Sequence, residues 1–147
     1  MDEIDQKIIE MLLKNSRISF VDMSKELGLS RVAVRERVKA LEEKGIIEEF
    51  TILLNQEKIG KPISVFLNID VETLYLESIA NTLAENPDIV STYQMTGPST
   101  LHVHAVLPSV EALEKLLYQQ LYPIKGIKTV ESQILLRRFK SRGGIRP

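Results

Sequence analysis

Cysteine is absent from this 147-residue sequence, which excludes a disulfide framework, a thiolate metal site and a cysteine nucleophile. Tryptophan is absent as well, and aromatic residues make up only 5%. Neither sign of charge is in excess: 19 Lys and Arg face 20 Asp and Glu, a net charge of −1. A polybasic nucleic-acid coat is thereby excluded, whereas DNA binding by a locally charged face is not. No apolar run is long enough to cross a bilayer. The acidic start MDEIDQK lacks the apolar stretch of a signal peptide. What is present, 44% hydrophobic and 27% charged residues, is the balance of a globular chain rather than a disordered one. The composition leads us to expect a soluble cytoplasmic protein, neither a secreted mini-protein nor membrane-bound.

Residues 2–44 read as three helices. Ile4, Ile8, Met11 and Leu12 form a helical stripe, with Asp2 as N-cap, Asp5 three residues on, and Asn15-Ser16 as the stop. Ser19 followed by Asp22 is a capping pattern for a second helix, whose apolar positions are Val21, Met23 and Leu27, with Gly28 at its left-handed end. Ser30 caps a third helix with the seam Val34, Val38 and Leu41, closed by Gly45. The following IIEEFTILLNQ suggests a short strand or hairpin arm, and Gly60-Lys61-Pro62 is a break.

From Ile63 the period changes to two. Val65, Leu67, Ile69 and Val71 alternate with polar or outward residues, as in a strand. A helix with Leu76, Ile79, Ala80, Leu83 and Ala84 follows, then strands at Ile89–Thr96 and Leu101–Leu107 around the turn Gly97-Pro98-Ser99. Ser109 caps a last helix, and Ile127–Phe139 reads as a last strand. The order β-α-β-β-α-β is that of the ferredoxin-like split unit. Helices then cover one sheet face only. The other, including Phe66, His102, His104, Val106 and Leu135, reads as a dimer interface, against the plainer alternative of a solvated face with scattered apolar groups. The fold class is therefore α+β. A helix-turn-helix domain occupies residues 1–50, and a connecting strand or hinge residues 51–62. A ferredoxin-like oligomerisation and effector domain follows at 63–140, and a basic tail at 141–147.

The third helix carries the chemistry. Helices two and three, joined by Gly28-Leu29-Ser30, have the form of a helix-turn-helix, whose second helix must bury one face and offer the other to the major groove. From Ser30 to Leu41 there are four basic residues and one acid, while residues 1–50 hold nine basic and eleven acidic residues. A positive stripe on an acidic module favours one docking orientation on phosphate. Arg31, Val32 and Arg35, near the helix start, are placed to reach base edges: arginine forks onto guanine and valine touches a thymine methyl. Glu36 either accepts from cytosine or pairs with Lys39. Lys39 and Arg37 are assigned to phosphate. The helix start at Ser19 offers backbone N–H groups to phosphate, and Ser30 is counted with this surface. The competing reading makes these charges an ordinary solvated face with surface ion pairs.

The stretch IDQKIIEMLLKNSRISFVDMSKELGLSRVAVRERVKALEEKGII strongly resembles the N-terminal domain of the Lrp/AsnC (feast/famine) transcription regulators, and the β-α-β-β-α-β half resembles their ligand-sensing domain. The resemblance runs from about residue 2 to 140 and is most specific from Leu29 to Ile47. It implies a winged helix-turn-helix, a homodimer built by pairing sheet faces, assembly to tetramers or octamers, and a small amino acid bound between dimers as effector. It places effector binding at Thr96, Gly97, Pro98, Ser99, Thr100 and Ser132. Ser132 stands where the family often has threonine. Family members often carry Gly-Asp-x-Asp at the turn where this chain has Gly97-Pro98-Ser99-Thr100. An effector's ammonium would pair with such carboxylates. Here neutral acceptors such as Ser99, Thr100 or carbonyls must serve. The turn also reads as an ordinary tight turn.

His102 and His104 are the only histidines and share a strand face. An H-x-H pair can hold a metal, but no third ligand stands nearby in sequence. Packing or hydrogen bonding at the dimer face is the alternative, with pH-sensitive assembly as a consequence. The tail from Arg137 to Arg146 has five basic residues and no acid, fit for DNA or subunit contact or for a frayed terminus. No enzyme activity and no resident cofactor are expected. Two rival functions remain: a tetrapyrrole (sirohaem) decarboxylase on this architecture, and an amino-acid sensor that never touches DNA.

Overall fold

In the computed structural model, which describes residues 1–97 and 100–139, the helices of the N-terminal half start where side chains can take their free N–H groups. Helix α1 (Glu3–Lys14) opens on a reciprocal capping box: Asp5 N–H donates to Asp2 at 2.8 Å and Asp2 N–H to Asp5 at 3.1 Å. Helix α2 (Phe20–Leu27) is capped by Ser19, whose Oγ accepts from Asp22 N–H at 3.0 Å and donates to the Asp22 carboxylate at 2.6 Å. It ends at Gly28, whose φ of +66° suits glycine. Helix α3 (Arg31–Glu43) starts from Ser30, which accepts from Ala33 N–H. Ile8, Met23, Val34, Val38 and Leu41 form the buried centre of this half. Val21, read as apolar lining, points outward; Phe20 packs inward instead, three residues before Met23 and seven before Leu27.

The described residues divide into two units, Met1–Leu53 and Leu54–Phe139. The strand or hairpin arm expected after α3 does not form. Residues 46–55 enter no ladder, and Phe50, Ile52, Leu53 and Leu54 are exposed. Their β-branched and aromatic character favours a strand, but a strand needs a partner for its backbone groups, and one protomer supplies none here.

In the second unit the sheet has the order β2-β3-β1-β4, antiparallel throughout. Its strands are β1 (Ile63–Val71), β2 (Ile89–Gln94), β3 (Leu101–Leu107) and β4 (Ile127–Ile134). Val65, Leu67 and Ile69 of β1 and Leu101, Val103, Ala105 and Leu107 of β3 pack against Ile79 and Leu83 of α4 (Leu76–Ala84) and Leu113 of α5 (Val110–Lys115). Leu116 and Leu121, from the π-helical extension of α5 (Leu116–Leu121), complete this core. The ferredoxin-like order is as read from the alternation. β4 ends at Ile134 rather than Phe139 because its neighbour runs out. β1 begins behind Pro62, which has no N–H to give, and the last rung is Leu135 N–H to Ser64 carbonyl at 2.8 Å. No helix among the described residues is long and apolar enough to cross a membrane. Residue 140 and the basic tail at 141–147 lie outside the described residues.

One glycine fixes the entry to β4. Gly126 has φ +99°, and a Cβ there would lie 2.5 Å from Cδ2 and 2.7 Å from Cβ of Tyr75. Gly126→Ala should lower stability by about 2–4 kcal/mol, from overlap plus left-handed strain. A shift of the urea midpoint at unchanged slope is the check.

Candidate functional site

Helix α3 buries Val34, Val38 and Leu41, each 3% exposed or less. Arg31, Val32, Arg35, Glu36 and Lys39 stand exposed. Val32 is 68% exposed, an apolar side chain held in water among cations. Among the described residues Arg31 and Arg35 have no ion pair. Lys39 pairs with Glu43, four residues on, at 3.4 Å, so of the two readings of Glu36 the ion pair with Lys39 is not the one formed. Both partners are more than 60% exposed, so water screens the pair and phosphate can replace Glu43.

Two of the groups assigned to phosphate have partners within the protein itself. Arg37 turns to the start of α1, where its Nη1 meets Asp2 at 2.8 Å and Asp5 at 2.7 Å. These carboxylates raise the Arg37 pKa, and Asp2 lies below the usual carboxylate range, chiefly through Asp5 N–H and next through Arg37. At Ser19, the Asp22 N–H is already taken by Ser19 Oγ and the Asp22 carboxylate stands beside it. A negative charge therefore occupies the helix start offered to phosphate. Ser30 serves as the cap of α3.

At the β2–β3 turn, Met95 N–H donates to Thr100 carbonyl at 3.1 Å and Gly97 has φ +118°. Thr96 is exposed beside it, and Pro98 and Ser99 lie outside the described residues. Thr100 Oγ1 donates to Asp70 Oδ1 at 3.2 Å. A carboxylate thus reaches this turn from β1, a contact thirty residues apart that the sequence signalled only as an outward strand position. Ser132 sits opposite Leu67, on the helix-covered side of the edge strand β4. Asp70 faces the other side, so one protomer does not bring Ser132 and Thr100 together.

That other side carries a stack. Phe66 lies against His104 (centroids 4.5 Å apart, planes at 15°) and His102 (5.5 Å, 21°). Ser64 Oγ is 2.7 Å from His104 Nε2, and Asn68 Oδ1 is 2.8 Å from His102 Nδ1. Val106 is buried and Leu135 half-buried. No cluster of three metal-ligating side chains occurs among the described residues. His104 is held below its ordinary pKa of 6.5, first by burial and then by Arg138 and His102. The unfolded chain therefore binds this proton first. The His104 contribution to stability is complete above about pH 6.5 and is lost as pH falls from there through the folded-state value. The urea midpoint should drop between about pH 7 and pH 5, and His104→Gln should flatten that drop.

Residues 1–48 match the family model described as winged helix-turn-helix DNA-binding, and residues 64–145 match that of the Lrp/AsnC ligand binding domain. The chain belongs to the Lrp/AsnC family of DNA-binding transcription regulators. The HTH-type transcriptional regulator Ptr1 of Methanocaldococcus jannaschii is 36% identical over 140 residues, 95% of each chain. The regulator FL11 of Pyrococcus furiosus is 33% identical over 95% of this chain and 92% of its own. In structure, the L-Met complex of a Neisseria meningitidis transcriptional regulator superposes with a TM-score of 0.92 at 23% identity, over 99% of this chain and 96% of that one. This last likeness is one of fold. The Lrp/AsnC relatives favour a regulator over a tetrapyrrole decarboxylase, and the two histidines meet Asn68 and Ser64.

Proposed function

We propose that this Lrp/AsnC chain reads duplex DNA with Arg31, Val32 and Arg35, that it does so as a homodimer, and that a small molecule carrying an ammonium group tunes the complex. The observation that carries the first part is the exposed row Arg31, Val32 and Arg35 opposite a fully buried seam. Unpaired arginines can fork onto guanine, and Val32 suits a thymine methyl. Lys39 is the phosphate contact, positioning without reading. The dimer uses the sheet face bearing Phe66, His102 and His104. Two-fold pairing sets half-sites at about 34 Å or its multiples. Assembly to a tetramer or octamer rests on the family resemblance. The chain works as a cytoplasmic binding protein, without a catalytic centre or resident cofactor.

For the effector, Asp70 supplies the carboxylate that the turn itself lacks. It stands beside Thr100, where an ammonium would find a charge-assisted partner. The test begins with selection of a duplex from a random-sequence pool by the full chain, followed by footprinting. Protection at one helical turn's spacing is expected. A panel of proteinogenic amino acids, L-Met among them, then serves in thermal shift, since a ligand of the native state raises its melting point. Asp70→Asn should abolish any shift. Unchanged melting with every amino acid sinks the effector reading and leaves the DNA reading standing.

A further inference from the structure

We infer that Arg37 is a positioning residue: it clamps the recognition helix α3 to the capped start of α1 and makes no phosphate contact of its own. This rests on α3 being the DNA-reading helix.

The clamp divides four carboxylate oxygens between two tasks. Asp2 Oδ1 accepts the N–H of Asp5 and its Oδ2 meets Arg37 Nη1; Asp5 Oδ2 accepts the N–H of Asp2 and its Oδ1 meets the same Nη1. A capping box built from two aspartates sets two like charges side by side, which by itself is unfavourable. Arg37 offsets that repulsion from 35 and 32 residues away. Its place on the helix suits the task. Arg37 lies about 200° around α3 from Arg35, at 100° per residue, so it stands well away from the exposed arginine row.

The apolar seam holds α3 against α1 without a directional bond. Ile8 packs with Val34, Val38 and Leu41, and apolar burial is non-directional. Charge-assisted hydrogen bonds are directional. Two such bonds at 2.7 and 2.8 Å fix the roll of α3 on α1, and with it the height at which Arg31 and Arg35 enter the groove. Asp5 is the less screened partner, its side chain only 14% exposed against 54% for Asp2.

The test uses the full chain, a duplex it has selected from a random pool, and a scrambled duplex of equal length, titrated by fluorescence anisotropy over a salt series. Arg37→Met and Asp5→Asn should each weaken the selected duplex about tenfold, and the double variant no further, as for residues acting as one unit. Scrambled-duplex affinity and the slope of log K against log salt should stay those of the unaltered chain. Arg37→Lys should recover part of the loss. Asp2→Asn, at the exposed partner, gives a milder version should Asp5→Asn disturb folding. A phosphate contact gives the opposite pattern. Arg37→Met would then weaken both duplexes alike and lower the slope by about 0.9, and Asp5→Asn, by freeing the arginine, would tighten both. That pattern overturns the inference, as does native affinity in every variant. If the unaltered chain selects no duplex, the DNA reading itself fails and the clamp's purpose with it.

Discussion

Replacing Arg31 and Arg35 together by alanine should lower affinity for the selected duplex by about thirtyfold or more, since each bidentate arginine–guanine contact discriminates by about 1–3 kcal/mol. Both side chains are exposed, and among the described residues neither has an ion pair to lose. The change therefore leaves no orphaned carboxylate and little reason for misfolding. Affinity for a scrambled duplex should fall much less, because non-specific binding draws on the whole set of phosphate contacts. Val32→Ala separates apolar reading from charge. It removes a 68% exposed side chain and should reduce discrimination at a thymine without altering the salt slope. Anisotropy on matched and scrambled duplexes measures all three. Unchanged discrimination in the double arginine variant would move the reading surface off α3.

Legibility in the sequence followed range. The caps at Asp2, Ser19, Ser30 and Ser109 are contacts across three residues, so the local pattern sufficed to place every one. The seam Val34, Val38 and Leu41 and the alternation Val65, Leu67 and Ile69 follow from a helix or strand needing one buried side. What the local pattern left open is non-local. Arg37 lies on the flank of the seam, and whether a flank faces phosphate or Asp5 depends on where α1 lands. The link from Asp70 to Thr100 and the stack of Phe66 on His104 depend on strand register. Composition cannot set that register. The segment at 46–55 has strand-forming residues, yet a ladder takes two strands, and only the pairing decides whether one forms. In the candidate site the exposed row of α3 could be read ahead, while the carboxylate beside the turn could not.

The largest loss of stability is expected from Ile8→Ala. Ile8 is fully buried in the first unit, whose buried centre comprises only five side chains, against thirteen in the sheet unit. Truncating a buried isoleucine costs about 2–5 kcal/mol, depending on how far the surroundings collapse. Small units bury a smaller share of their surface and have little margin. A loss of that size is comparable with the whole stability of a domain of about fifty residues, at about 0.05–0.15 kcal/mol per residue. Ile8 also packs in the cluster that holds Val34, Val38 and Leu41, so the cavity opens beneath the reading helix. Amide hydrogen exchange followed by mass spectrometry should show α1, α2 and α3 losing protection while β1 and β3 keep theirs, with specific DNA binding lost in parallel. Leu67→Ala, in the larger core, should instead lower protection across the sheet and leave α3 protected. If Ile8→Ala leaves exchange in α3 unchanged, the helical unit draws its stability from something other than this five-residue centre.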